Sequence, residues 1–285
     1  MALALHQLAI EAALQRPEGE ALRCDGEALS WSQLVRRSNG VAHALRSAGL
    51  ARGDRVAVLL TKSLAVPAAF YGVSAAGGAQ VPIDPKAPLP QVTRILRATG
   101  ARFLLTEESR REFVSRLLPE CPEIERVLGV QGLAETGVAC TGDDEITSLA
   151  SDEAPDRNVG SLDTAYIMHT SGSTGQPKLI RHTHGTALAF AEWAATEYGL
   201  QPSDRLSNHS SHHTCFATFD YYAAARAAAT TVVLTPAMMM MPASLARIVA
   251  SEAISVWYSV PTALVQLLLH GGMDELDLRA LRWLL

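Results

Sequence analysis

The sequence predicts an α/β protein of doubly wound parallel sheets in two packed lobes, and three observations predict it. Short apolar runs of strand length alternate with segments of helical period, turns rich in glycine or proline separate them, and the plan recurs along most of the 285 residues. A parallel sheet covered by helices buries both faces, so its strands read as unbroken apolar runs.

The N-terminal stretch MALALHQLAIEAALQRPEGEAL reads as an amphipathic helix and not a leader, because Glu11 and polar residues interrupt the apolar run and no basic start precedes it. Residues 32–49 place Leu34, Val41 and Leu45 at helical spacing before a glycine stop. RVAVLL at 55–60 is a buried strand, followed by a small-residue helix over 63–76. GGAQVPIDPKAP repeats the plan with a glycine turn, a strand through Val81 to Ile83 and a proline-braked loop. A helix over 90–99 and the strand in ARFLLTEES come next. Residues 131–160 are rich in Gly, Asp, Glu, Ser and Thr with weak period, so a first lobe is expected over 1–160 and a second over 161–285. The second opens with the strand TAYIMHT, a glycine loop and a helix from about 183 to 198. The strands in TTVVLTP and ISVWYSV and the helix PTALVQLLLHG follow.

A net charge of −5 and a pI near 6.0 leave no basic face, which argues against a nucleic-acid partner. No apolar stretch reaches the roughly 18 residues a bilayer requires, so no membrane partner is expected. Cys24, Cys121, Cys140 and Cys215 stand far apart with no CxxC pair, which suits a reducing compartment and a cytoplasmic location. Only Lys62, Lys86 and Lys178 are lysines in an arginine-rich chain, so each merits inspection.

The sharpest feature is Thr170-Ser171-Gly172-Ser173-Thr174-Gly175-Gln176-Pro177-Lys178, directly after a predicted strand. Glycines let backbone N–H groups approach an anion, hydroxyls add donors and the lysine adds a compact charge, a set suited to a triphosphate. A Walker-type loop needs glycine directly before Lys and Ser/Thr, whereas Gln176-Pro177 intervenes and Leu179 follows.

TSGSTGQPK closely resembles the phosphate loop of the adenylate-forming superfamily, which includes nonribosomal-peptide adenylation domains, acyl-CoA synthetases and luciferases. LSWSQLVRRSNGVAHAL with GLARGDRVAVLL resembles the family's opening segment, AAGGAQVPIDPKAP its next motif and SVPTAL a later proline segment. His184 falls where the family places a histidine after the loop. Leu179 departs from the pattern, which has glycine there. The resemblance implies that Thr170, Ser171, Gly172, Ser173, Thr174, Gly175 and Lys178 hold the β- and γ-phosphates of ATP with Mg²⁺. It further implies that a carboxylate attacks the α-phosphorus to give acyl-AMP and pyrophosphate, and that a thiol then takes the acyl group. That thiol is expected on an acyl or peptidyl carrier protein, the alternatives being a stand-alone acyl-CoA ligase and a non-catalytic lobe kept as a binding module.

In family members that activate α-amino acids, a Phe-Asp pair opens the pocket and the aspartate meets the substrate ammonium. Two registers are open here: Phe219-Asp220 as that pair, or Thr214-Cys215 with Asp220 as a second acid five positions later. The second is favoured because the first needs a deletion inside a helix. It puts Cys215 where the ammonium's partner should be, and burying an ammonium without a counter-charge costs several kcal/mol. An acid lacking an α-amino group is therefore expected, in a pocket of His213, Cys215, Phe216, Phe219 and Tyr258. His209, His212 and His213 lack the spacing of a zinc set. The resemblance places the adenine loop, the magnesium acid, the ribose aspartate and the adenylating lysine beyond Leu285. The chain alone is thus expected to be inactive, with no catalytic residue of its own and the remainder cut away or supplied by a second chain.

Overall fold

The computed structural model describes residues 2–155, 159–170 and 177–285. In chain order, α1 (His6–Gln15) leads into β1 (Glu20–Cys24) and β2 (Glu27–Ser30), then α2 (Trp31–Ser47) and β3 (Arg55–Val58). There follow α3 (Ala65–Ala76), β4 (Ala79–Pro82), α4 (Leu89–Thr99), β5 (Phe103–Leu105), α5 (Arg111–Leu117) and β6 (Arg126–Leu128). β7 (Ala139–Thr141), α6 (Asp143–Ser148), β8 (Thr164–Thr170), β9 (Lys178–Thr183) and α7 (His184–Glu197) come next. After β10 (Arg205–Asn208), the short helix α8 (Phe216–Thr218) runs through a π-helical turn at Phe219–Ala223 into α9 (Ala224–Arg226). β11 (Thr230–Val233), α10 (Pro242–Ser251), β12 (Val256–Trp257), α11 (Pro261–His270) and β13 (Trp283–Leu284) complete the chain.

The chain folds as two compact units, one of Met1–Gln7, Val35–Thr61 and Ala65–Leu188, the other of Leu8–Leu34, Lys62–Leu64 and Ala189–Leu285. Residues 161–188, expected in the second lobe, belong to the first unit, because β8 pairs in parallel with β4 through Gln80 and Tyr166.

The first unit is built on a seven-stranded sheet ordered β7-β6-β5-β3-β4-β8-β9, parallel except for the β8–β9 pair. Val56, Ala57 and Val58 of β3 are all 0% exposed, as a strand covered on both faces requires. Helix α3 is buried from Val66 to Ala76. It lies so close to α2 that a Cβ on Gly72 would stand 2.6 Å from the Ser38 carbonyl oxygen and 2.7 Å from Val41 Cβ.

The second unit holds a six-stranded sheet ordered β13-β12-β10-β11-β1-β2. Its strands are parallel except for β1–β2, a hairpin that the helical pattern of the N-terminus does not announce. Asp25 (φ 47°) and Gly26 (φ 83°) form its two-residue loop, the Asp-Gly pair that favours a tight hairpin because both positions need positive φ. Pro17 stands two positions beyond the end of α1, where the chain leaves the helix.

Candidate functional site

Strands β8 and β9 form an antiparallel ladder from Thr164↔Thr183 to Thr170↔Lys178. The sequence pattern predicts TAYIMHT as a strand but not KLIRHT, whose residues are exposed from Lys178 to Arg181 and so carry no burial pattern. Tyr166 and His182 face each other across the ladder with stacked rings 4.7 Å apart, and His169 hydrogen-bonds the Pro82 carbonyl oxygen at 3.0 Å. The hairpin therefore fixes Thr170 and Lys178 opposite each other at the two ends of the candidate phosphate loop, Thr170 and Lys178 both exposed. Ser171, Gly172, Ser173, Thr174 and Gly175 lie outside the described residues.

His184 opens α7 with 1% exposure, and its Nδ1 accepts the Leu5 backbone N–H at 3.2 Å. Burial, helped by proximity to His184, holds His6 down to about 4; burial does the same for His184 against the pull of Asp163. Both rings are neutral at pH 7, so His184 serves this unit as a buried acceptor. It brings no charge to the phosphate loop.

Of the residues expected to line the acid pocket, Phe216, Phe219 and Tyr258 come together in the second unit. Phe216 and Tyr258 place their ring centroids 5.1 Å apart, and Phe219 meets Tyr258 edge-on at 4.9 Å and Tyr198 at 5.7 Å. Such tilted and edge-on arrangements suit the ring quadrupoles and fix one apolar wall. Cys215 is exposed at the head of α8, while His213 is half-buried beside His212. Burial pushes the Tyr258 hydroxyl up, and the neighbouring Cys215 adds to the effect.

Asp220 differs in environment from Cys215. It is 0% exposed, its Oδ2 accepts the Asn208 amide at 2.9 Å, and its backbone oxygen accepts the Thr231 hydroxyl at 2.6 Å. Asn208 in turn accepts the Tyr221 hydroxyl at 2.9 Å. Lys62, 5% exposed, donates to the backbone oxygens of Asn208, His209 (3.0 Å) and Ser210 (2.8 Å). Desolvation raises the Asp220 carboxyl and lowers the Lys62 ammonium, and the attraction between the two partly offsets each shift. Lys62 thus ties the segment that leads into His212–Cys215, and the π-turn seats Asp220 against the end of β10. Asn208 and Tyr221 have no mark in the sequence, since an isolated Asn at a strand end carries no spacing signal. Lys62 has one, as a lysine where the chain otherwise uses arginine.

Residues 10–285 match the AMP-binding enzyme family. The chain is 28% identical over 269 residues to an L-proline–[L-prolyl-carrier protein] ligase of Pseudomonas fluorescens, covering 94% of this chain and 52% of the relative. It is 30% identical over 258 residues to gramicidin S synthase 2 of Brevibacillus brevis, covering 90% of this chain and 5% of that protein. The chain therefore spans about half the length of the first relative and a small part of the second. Among solved structures it resembles the nonribosomal peptide synthetase FmoA3 bound to alpha-methyl-L-serine-AMP, at a TM-score of 0.82 and 28% identity over 99% of this chain and 29% of that one. The anthranilate CoA ligase AuaEII in complex with anthranoyl-AMP shares the fold, with a TM-score of 0.85 and 21% identity over 99% of this chain and 54% of that one. With a family match over residues 10–285 and a structural likeness to such an enzyme across 99% of its length, the chain belongs to the AMP-binding, adenylate-forming enzymes and corresponds to their N-terminal part.

Proposed function

We propose that this chain supplies the ATP-phosphate loop and the acid pocket of an enzyme that converts a carboxylic acid without an α-amino group to its acyl-AMP. The acyl group then passes to a carrier-protein thiol. The observation that carries the substrate class is the contrast between Cys215 and Asp220. Cys215 is exposed beside the Phe216–Tyr258 pair, whereas Asp220 is fully buried and its carboxylate is engaged by Asn208. A substrate ammonium entering beside Phe216 would meet a thiol, and the nearest acid in sequence, Asp220, is sealed from solvent with its carboxyl raised by burial. The aromatic wall favours an acid with an apolar or aryl body.

Thr170 and Lys178, held opposite each other by β8 and β9, bracket the loop whose backbone donors and hydroxyls would receive the outer phosphates. Among the described residues no three His, Cys, Asp or Glu side chains are gathered as a metal set. One relative is a ligase named for a prolyl-carrier protein and a solved neighbour is a nonribosomal peptide synthetase, which supports a carrier thiol as acceptor.

Pyrophosphate exchange with aryl, hydroxy, keto, fatty and α-amino acids tests the reading on a longer form that carries the adenylating lysine, with this chain alone as the inactive control. Turnover should favour acids without an α-amino group, and Cys215→Asp should shift it toward α-amino acids by tenfold or more. A wild-type preference for an α-amino acid sinks the proposal.

A further inference from the structure

The first unit contains a cavity of about 310 Å³ whose lining includes neither Thr170 nor Lys178 nor any residue expected in the acid pocket. Its position follows from topology. From β3 the chain goes to β4 on one side of it, then crosses back to β5 and β6 on the other. The strand order thus reverses between β3 and β5, and the crevice outside the carboxyl ends of strands at such a point is where open α/β sheets bind small molecules. Leu60 beyond β3, Leu105 at the end of β5 and Gly129 just beyond β6 line the cavity at those ends. Gly129 (φ 91°) is required there, because a Cβ would stand 2.0 Å from the Thr106 carbonyl oxygen.

The lining sorts by chemistry. Val41 of α2 and Ala68 of α3 add to an apolar wall, while Arg37 and Asp143 bring one charge of each sign. Arg36 next door pairs with Asp152, yet among the described residues neither Arg37 nor Asp143 is in an ion pair, with each other or with anything else. Both are exposed, so the charges sit at the solvent side and the apolar groups behind them. A volume near the lower end of the usual range for small-ligand sites, roughly 300–1,000 Å³, excludes nucleotides and long acyl chains.

We propose that this cavity binds a small zwitterion with an apolar body, the chemistry of an apolar α-amino acid. Arg37 receives the carboxylate through its paired N–H donors, Asp143 receives the ammonium, and the side chain enters the wall of Val41, Leu60 and Ala68. The site is separate from the acid pocket, whose Cys215 offers an ammonium nothing, and it stands whether or not the adenylation reading does.

Isothermal titration of this chain, without ATP, against leucine, valine and phenylalanine tests it. At least one should bind, while 4-methylpentanoate, which lacks the ammonium, and 3-methylbutylamine, which lacks the carboxylate, should bind leucine's site at least tenfold more weakly. Arg37→Ala and Asp143→Ala should each weaken amino-acid binding tenfold or more with unchanged thermal unfolding, both side chains being exposed. Ala68→Phe, filling the wall, should abolish it. Binding of none of the three amino acids, equal binding of either truncated analogue, or binding indifferent to Arg37→Ala and Ala68→Phe overturns the proposal.

Discussion

At the scale of single residues, the lysines divide into two environments with different consequences. Lys178 is exposed at the start of β9, so Lys178→Ala in an active form should raise the KM for ATP at least tenfold while the melting temperature stays within a degree or two. Steady-state kinetics beside a thermal melt would show the split, and unchanged ATP use would remove the lysine from the loop's chemistry. Lys62 is buried and spends its ammonium on three backbone oxygens, so Lys62→Met should cost about 3 kcal/mol in urea unfolding by leaving those oxygens and Asp220 without it. A change below about 0.5 kcal/mol would mean that water replaces it freely. The sequence shows the loop because glycines, hydroxyls and a lysine in nine positions have few other uses. It hides the Asn208–Asp220–Tyr221 network because those partners meet only when β10 and the π-turn are packed together.

At the scale of elements, strands that are buried on both faces are legible and the two hairpins are not. β3 and β4 announce themselves as apolar runs, whereas β9 is exposed over most of its length and β2 has two exposed residues of four. The turn chemistry of Asp25-Gly26 is the available signal for β1–β2, outweighed by the helical pattern just before it. The π-turn at Phe219–Ala223 has no signature in composition; it is set by Asp220 reaching Asn208 while Phe219 keeps its place against Tyr258. The α2–α3 crossing gives an element-scale prediction. Gly72→Ala should destabilise by about 1–3 kcal/mol through overpacking, measured as a shift of the urea midpoint at constant slope. A neutral result would show that the helices can part without loss.

For the molecule as a whole, the histidines set a direction for pH dependence. His6, His184 and His209 are held to about 4, by burial first in each case, against an ordinary value near 6.5. The folded chain therefore binds fewer protons than the unfolded chain between these values. The contribution of these rings is fully present above pH 6.5 and is lost as pH falls from there through about 4; it outnumbers the opposite pull of Asp220, whose buried carboxyl is raised. Urea midpoints taken from about pH 7.5 to about 4.5 should fall steadily, and His184→Gln should flatten the slope relative to the parent. A midpoint indifferent to pH over that window would contradict the neutral, buried state of these rings.

The pairing of β1 with β11 has a consequence for biosynthesis. Leu22 aligns with Thr231, so β1 lacks this partner until about 200 further residues have been translated. At roughly 5–20 residues per second, that wait lasts on the order of ten seconds or more. Through that interval the nascent β1–β2 ribbon presents an open edge that a chaperone or a neighbouring polypeptide can engage. The yield of correctly assembled protein should then depend on translation speed and holdase supply, beyond what the finished fold's stability alone dictates.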